Sequence, residues 1–350
     1  MKNFKISDVV IGRNQRPFII AEMSGNHNQS LGRALEIVEA AAKAGAHAIK
    51  LQTYTADTMT LKVDFDDFKI MDKNSLWSGR HLYDLYEEAH TPWEWHAPIM
   101  QRAKELGLIC FSTPFDETAV DFLETLNVPA YKIASFENTD VRLLKKVAQT
   151  GKPVIVSTGM ADLQDLQLMV KTLRENGCVN FVLLKCTSAY PARAEDANLK
   201  TIPHLSEMFD CQVGLSDHTM GIGVPLAAVT LGATVIEKHF TLCRADGGVD
   251  SDFSLEPHEL KMLVEESEKA WNALGVVKYS ASEIEEKSKQ FRRSLYFVKD
   301  LKEGEIITED AVRSIRPGYG LAPKYYFDII GKIVKYAVKR GQPAQWNTFL

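Results

Sequence analysis

Eight short apolar runs, set between stretches of helical pattern, constrain this chain more than any other feature. They occupy residues 17–22, 46–52, 108–113, 130–135, 153–159, 181–187, 213–215 and 233–236. Apolar residues recur at helical spacing over 31–44, 92–106, 117–126, 141–149, 163–176, 223–232 and 258–273. Pro92 opens one of these stretches, and Gly45 and Gly177 close two others, as expected of helix ends. The runs are continuously apolar rather than alternating, the pattern of parallel strands covered on both faces. Parallel neighbours are joined through a crossover, normally a helix. Eight strand–helix units over residues 17–274 match the roughly 250 residues of a (β/α)8 TIM barrel. A doubly wound open sheet is the alternative, and it calls for a glycine-rich phosphate loop after the first strand. That position reads Glu22-Met-Ser-Gly-Asn-His-Asn28, which lacks the G-x-G-x-x-G spacing.

The domain boundaries follow from where this pattern stops. Residues 1–279 form the expected barrel domain, with an elaborated loop from Tyr54 to about His90. Residues 280–291 are a charged, partly helical linker. Residues 292–350 form a small second domain, with short strands at 294–298 and 332–336 and turns at 302–305 and 316–320.

The formal charge of −5, without a basic run, argues against a general nucleic-acid binder. Five cysteines without a C-x-x-C pair fit reduced thiols in a cytoplasmic protein. The N-terminal residues lack a signal-peptide apolar core, and no apolar run nears the ~20 residues of a membrane span.

A barrel places its chemistry at the C-terminal ends of its strands. Those ends carry Glu22, Lys50 with Gln52, Thr113, Lys132 with Ser135, Ser157 with Thr158, Lys185 with Ser188, His218, and Glu237 with His239. Charged groups at buried strand ends are costly unless paired or used. Lys50 and Lys132, with Ser135, Ser157 and the backbone at Gly159, read as a pocket for phosphate or carboxylate. His218 and His239 close consecutive strands of one strand–helix–strand unit, so they meet in space. Glu237 shares the face of His239. The pair reads either as two satisfied core histidines or as an open site for a divalent cation. Cys186 reads as buried filler rather than a nucleophile, and the other seven histidines as scaffold or surface.

The motifs resemble those of the bacterial sialic acid synthase family over nearly the whole chain. They are Ile20-Ala-Glu-Met-Ser-Gly-Asn-His-Asn28, Ile49-Lys-Leu-Gln52, Phe111-Ser-Thr-Pro-Phe-Asp116, Tyr131-Lys-Ile-Ala-Ser135, Ser157-Thr-Gly-Met160, Leu215-Ser-Asp-His-Thr219 and Glu237-Lys-His-Phe240. The tail resembles the antifreeze-like (SAF, β-clip) domain of that family, with Arg316-Pro-Gly-Tyr-Gly320 as its mark. The resemblance implies a transferase that condenses phosphoenolpyruvate with an open-chain amino sugar and releases phosphate. It implies Mn²⁺ or Mg²⁺ on His218 and His239, and Glu22 beside the reacting carbons. Phosphoenolpyruvate would be held by Lys50, Thr113, Lys132, Ser135, Ser157, Gly159, Ser188 and Tyr190. Relatives commonly carry asparagine where this chain has Ser188. Gln52 and Asp250 would meet the sugar, joined by Arg316 from the partner subunit of a homodimer with exchanged C-terminal domains. The Asp246-Gly-Gly-Val-Asp-Ser251 segment is similar to the pseudaminic branch, whose sugar is 2,4-diacetamido-2,4,6-trideoxy-L-altrose.

Overall fold

The computed structural model describes residues 2–73 and 75–350. The chain opens on an antiparallel hairpin of β1 (Phe4–Ile6) and β2 (Val9–Ile11), strands too short for a pattern to announce. Eight parallel strands then close a barrel in chain order. They are β3 (Phe18–Glu22), β4 (Ala48–Thr53), β5 (Ile109–Pro114), β6 (Tyr131–Ile133), β7 (Val154–Ser157), β8 (Phe181–Cys186), β9 (Gln212–Asp217) and β10 (Val235–His239). β10 pairs with both β9 and β3, which completes the ring.

Each apolar strand divides its residues between two cores. Phe18, Ile20, Ala48, Phe111, Ile155, Val182 and Val235 point inward and pack together. Ile19, Ile49, Tyr131, Val156, Leu183 and Ile236 point outward into the layer between strands and helices. Alternation thus persists although both faces are apolar. Phe4, Ile6 and Ile11 of the hairpin join the inner core beside Phe18 and Val235, at the strand starts. The hairpin therefore seals the N-terminal end of the barrel and leaves the C-terminal end as the mouth.

Helix starts are written locally. Ser30 accepts from Arg33 N, and Asp116, Asp140 and Asp162 each accept backbone N–H groups at the starts of the helices that follow β5, β6 and β7. Such a cap contributes about 1 kcal/mol. A helix at Thr201–Phe209 supplies the crossover between β8 and β9 that the pattern did not mark. The 54–90 stretch is more ordered than a loop: it contains helices Ala56–Met59 and Leu82–Ala89. Residue 74, within it, lies outside the described residues.

The chain divides into two compact units, Met1–Gly275 and Val276–Leu350. In the second, β11 (Ser294–Phe297) pairs antiparallel with β12 (Val312–Ile315) over a core of Leu295, Phe297, Ile307, Ile329 and Val334. The expected strand at 332–336 is corrected to isolated bridges at Ile333 and Val334, too few contacts for a ladder. Helix Glu283–Ser288 falls within the charged 280–291 stretch. Gly318 and Gly320 pass close to backbone: an added Cβ would meet Lys289 O at 2.6 Å and Leu295 O at 2.3 Å. Among the described residues no helix is long and apolar enough to cross a membrane.

Candidate active site

Alternation turns Glu22, Lys50, Gln52, Thr113, Lys132, Ser157, Cys186, Ser216, Glu237 and His239 into the barrel, at or near its mouth. They form one buried network. Lys50 Nζ lies 2.5 Å from Glu22 Oε2 and 3.9 Å from Glu237 Oε1, and donates to Thr113 Oγ1 at 3.0 Å. Glu237 Oε1 also accepts from Lys132 Nζ and from Ser216 Oγ, each at 3.2 Å. Its Oε2 is buried without a partner among the described residues. Gln52 Nε2 donates to Glu22 Oε1 at 2.8 Å and to Ser24 Oγ at 2.9 Å.

The two carboxylates sit in different fields. Burial, opposed by Lys50 and aided by the charge of Glu237, raises Glu22 to about 6. Burial also disfavours the charge of Glu237, but Lys132 and Lys50 outweigh it and hold the group below its ordinary value. Glu22 is thus poised to exchange a proton near neutrality, while Glu237 stays ionised. Burial lowers Lys132, with the charge of Lys50 adding to it and Glu237 opposing.

Beside the lysines lies a hydroxyl-lined cradle. Gly159 N donates to Ser135 Oγ at 3.1 Å, and Asn138 Nδ2 braces the carbonyls of Ser157 (3.3 Å) and Gly159 (3.1 Å). A Cβ on Gly159 would meet Ser188 Oγ at 2.2 Å and Ser135 Oγ at 2.6 Å. Glycine is therefore what lets the two hydroxyls close on this backbone. Ser157 Oγ is buried with no partner among the described residues, a donor for a guest.

The imidazoles of His218 and His239 meet edge to face, 5.3 Å between centroids. His218 Nδ1 lies 2.9 Å from the Thr187 carbonyl, which can only accept, so this nitrogen carries a proton and Nε2 is left for another partner. Burial pushes His218 down, but Cys186 and the Thr187 carbonyl bring it above its ordinary value. Burial and the charges of His218 and Lys50 hold His239 well below, so its ring is neutral. His239 Nδ1 is buried without a hydrogen bond, 3.8 Å from Asp250 Oδ2. Among the described residues no group of three or more His, Cys, Asp or Glu side chains is arranged around a metal. The pair therefore fits a divalent cation only as an open site, with two protein nitrogens and the remaining positions left to substrate and water. Satisfied core histidines do not describe it, because His239 keeps an orphaned nitrogen at the mouth.

Tyr190 packs over the pair, 4.4 Å from His218 and 6.4 Å from His239 between centroids. Phe253 lies 4.9 Å from His239. Asp250 accepts a hydrogen bond from Ser24, which pulls the 246–255 loop into the mouth. Of the residues expected at the strand ends, Glu22, Lys50, Gln52, Thr113, Lys132, Ser157, Glu237 and His239 are thus brought together, with Asp250 reaching the mouth from its loop. Arg316 lies exposed in the second unit.

Three features escaped the reading of the sequence. Cys186 is buried, but it contacts His218 and stands 3.9 Å from Ser188 Oγ. Burial raises this thiol, yet its hydrogen bond to His218 and the charges around it bring it to about 7. Glu137, two residues beyond Ser135, has an orphaned buried oxygen and is raised by burial to about 7, against the pull of Lys132. Trp77 lies tilted against Tyr190, 5.8 Å between ring centroids, and donates to Val249 O at 2.9 Å, which ties the 54–90 stretch to the loop of Asp250. No local pattern marks the first two, because each is defined by what faces it across the barrel. Lys185 needs a correction. It points outward by alternation and donates to Cys186 O at 2.8 Å, so it does not join the ring at the mouth.

The NeuB family model matches residues 37–279, and the SAF domain model residues 292–350. A pseudaminic acid synthase of Campylobacter jejuni is 46% identical over 336 residues, covering 96% of this chain and 97% of the relative. An N,N'-diacetyllegionaminic acid synthase of Legionella pneumophila is 38% identical, covering 96% and 95%. The crystal structure of an N-acetylneuraminic acid (sialic acid) synthetase from Leptospira borgpetersenii superposes with a TM-score of 0.73 at 32% identity, covering 82% of this chain and 95% of that one. The chain belongs to the NeuB family and carries a C-terminal SAF domain.

Proposed function

We propose that the chain condenses phosphoenolpyruvate with 2,4-diacetamido-2,4,6-trideoxy-L-altrose and water, giving pseudaminic acid and phosphate. The observation that carries this reading is the meeting of three things at one barrel mouth: a two-lysine, four-hydroxyl anion pocket, an open histidine pair, and two carboxylates of unequal basicity. The pseudaminic branch is supported by 46% identity to the Campylobacter synthase, against 38% to the legionaminic one.

Lys50, Lys132 and Thr113 hold the phosphate, and Ser135, Ser157 and Ser188 around Gly159 hold the carboxylate. His218 and His239 would hold a divalent cation, which would supply Lewis-acid polarisation of an aldehyde. C3 of phosphoenolpyruvate forms the new bond to the aldehyde carbon, whose oxygen takes up a proton. Water adds to C2 and gives its proton to Glu22. The C2–O bond to phosphate then breaks, the remaining hydroxyl proton leaves with the phosphate, and C2 becomes the ketone. Glu237 keeps Lys132 and Lys50 oriented toward the phosphate. Gln52 and Asp250 face the sugar, Tyr190 adjoins the phosphoenolpyruvate, and the Trp77 bond to Val249 fixes the loop that presents Asp250.

Phosphate release, measured with phosphoenolpyruvate, Mn²⁺ and a panel of sugars, tests this. The altrose-configured sugar is expected to exceed N-acetylmannosamine and other mannosamine-type sugars by at least about a hundredfold in kcat/KM, because a site built on hydrogen bonds rejects isomers that leave its groups unpaired. Equal rates with a mannosamine-type sugar would move the chain to the sialic or legionaminic branch. No release with any sugar would leave a binding protein on the same scaffold.

Arg316 belongs to this reading as a sugar contact supplied by the partner of a homodimer that exchanges second domains. Its guanidinium fork suits several sugar oxygens at once, and a two-fold dimer shares both sites equally. Arg316→Ala and His239→Ala are each expected to be nearly inactive alone, and to regain activity when mixed and allowed to exchange subunits. Verified mixed dimers that stay inactive would place Arg316 in its own chain's site.

A further inference from the structure

Two residues of the shared motifs lie behind the mouth rather than in it. Asp217 and Lys238 are the last registered pair between β9 and β10. Each directly precedes an imidazole in the chain, Asp217 before His218 and Lys238 before His239. Alternation turns both outward, into the helix layer, where Lys238 is 0% and Asp217 4% exposed. Lys238 Nζ lies 2.9 Å from Asp217 Oδ2 and also donates to the Thr219 carbonyl. Asp217 in turn accepts from Thr219 twice, from N–H at 3.2 Å and from the hydroxyl at 2.9 Å. These bonds clamp the chain on both sides of His218. From the other direction, Ala192 N donates to His218 O at 3.0 Å.

A buried pair of this kind is a poor source of stability. Desolvating two charges costs about what their attraction returns, and uncharged replacements of similar volume are often neutral or better. Stability therefore does not account for it. Among the described residues, the hydrogen bonds of Lys238 end on Asp217 and Thr219. The register of β9 ends at Asp217, so the sheet itself does not decide where the next side chain points. The turn decides it, and this pair builds the turn onto the strand that carries His239.

We infer that the buried Lys238–Asp217 pair is a positioning device, setting the separation and orientation of His218 and His239 for a divalent cation. The inference rests on the two-histidine metal reading. Neither residue touches substrate, so neither is a catalytic residue. Outer-shell groups that orient metal-binding histidines typically matter by about 10–100-fold in metal affinity.

The test uses the full-length protein and MnCl₂ titrated by calorimetry. The proteins compared are wild type, Lys238→Met, the double variant Asp217→Asn/Lys238→Met, and His239→Ala as the limit of a lost ligand. Phosphoenolpyruvate binding without metal and the unfolding temperature are measured alongside. Mn²⁺ affinity is expected to fall about tenfold or more in both Lys238 variants. Phosphoenolpyruvate binding should stay within about twofold, since no phosphate or carboxylate contact is touched. The double variant, with no uncompensated charge, keeps the unfolding temperature of wild type and decides the question if Lys238→Met does not fold. Wild-type Mn²⁺ affinity in the folded double variant would overturn the inference, because the pair would then be structural alone. Wild type that binds phosphoenolpyruvate but takes up no Mn²⁺ would instead overturn the metal reading, and this inference with it.

Discussion

His239→Ala will lose about a thousandfold or more in kcat with saturating Mn²⁺, and exhaustive chelation of the wild type will do the same. The His239 ring is neutral because burial and neighbouring charge hold its protonation well below the ordinary range. A neutral imidazole is the form that binds a metal. Its Nδ1 has no hydrogen bond among the described residues, so the ring is not spent on holding the fold together. Polarisation of a carbonyl by a bound cation supplies several kcal/mol, and each 1.36 kcal/mol is a factor of ten in rate. The fold should tolerate the change. His239 is the last residue of β10, and its ring packs against Phe253 and Tyr190 at the mouth rather than in the inner core. A loss of about 1 kcal/mol, a few degrees of unfolding temperature, is the expected cost. The checks are steady-state phosphate release and a thermal melt on the same preparation. Full turnover after chelation, with metal analysis showing none bound, would remove the metal from the reaction.

Glu22→Gln is expected to lower kcat by about a hundredfold to ten-thousandfold, the range for a general base, and to abolish an acid limb in its pH profile. The sign follows from the direction of the shift. Burial raises Glu22 from 4.5 to about 6, while Lys50 opposes and the charge of Glu237 assists. As a proton acceptor Glu22 works ionised, so kcat falls as pH drops through about 6 and is level above it. The other groups facing it titrate elsewhere: Lys50 is raised above its ordinary value and Glu237 is held below. Measuring kcat at saturating phosphoenolpyruvate separates this limb from protonation of the free substrate. Glutamine keeps the shape and still accepts from Lys50, so the binding of phosphoenolpyruvate should change far less than turnover. A limb near 6 that persists in Glu22→Gln would assign it to another group, and Glu137, raised to about 7, is the next candidate.

The assignment of Glu22 over Glu237 illustrates where sequence stops. Both are glutamates at the ends of apolar strands, and their local sequences give no reason to prefer one. They differ because Glu237 receives Lys132 as well as Lys50, from strands 105 residues and more away in the chain. Cys186 shows the same limit. Its neighbours in sequence suggest an inert strand residue, whereas its neighbours in space are His218, Ser135 and Lys132. Lys185 errs the other way: it is a strand-end lysine that alternation turns out of the mouth.

What the sequence determined by itself was local and repeated. Apolar runs, helix spacing, glycine stops and proline starts are properties of contiguous residues, and eight repetitions of one unit leave few architectures other than a closed parallel barrel. The positions of Lys50, Lys132, His218 and His239 at strand ends followed from that repetition alone, since a barrel sends all eight strand ends to one side. The N-terminal hairpin, the order within residues 54–90, the orphaned oxygens of Ser157 and Glu237 and the unequal basicity of the two glutamates were decided only by the tertiary structure. Those properties depend on desolvation and on distances of 2.5–4 Å across the barrel. Such terms come into being when the ring closes and water leaves, and no window of contiguous residues contains them.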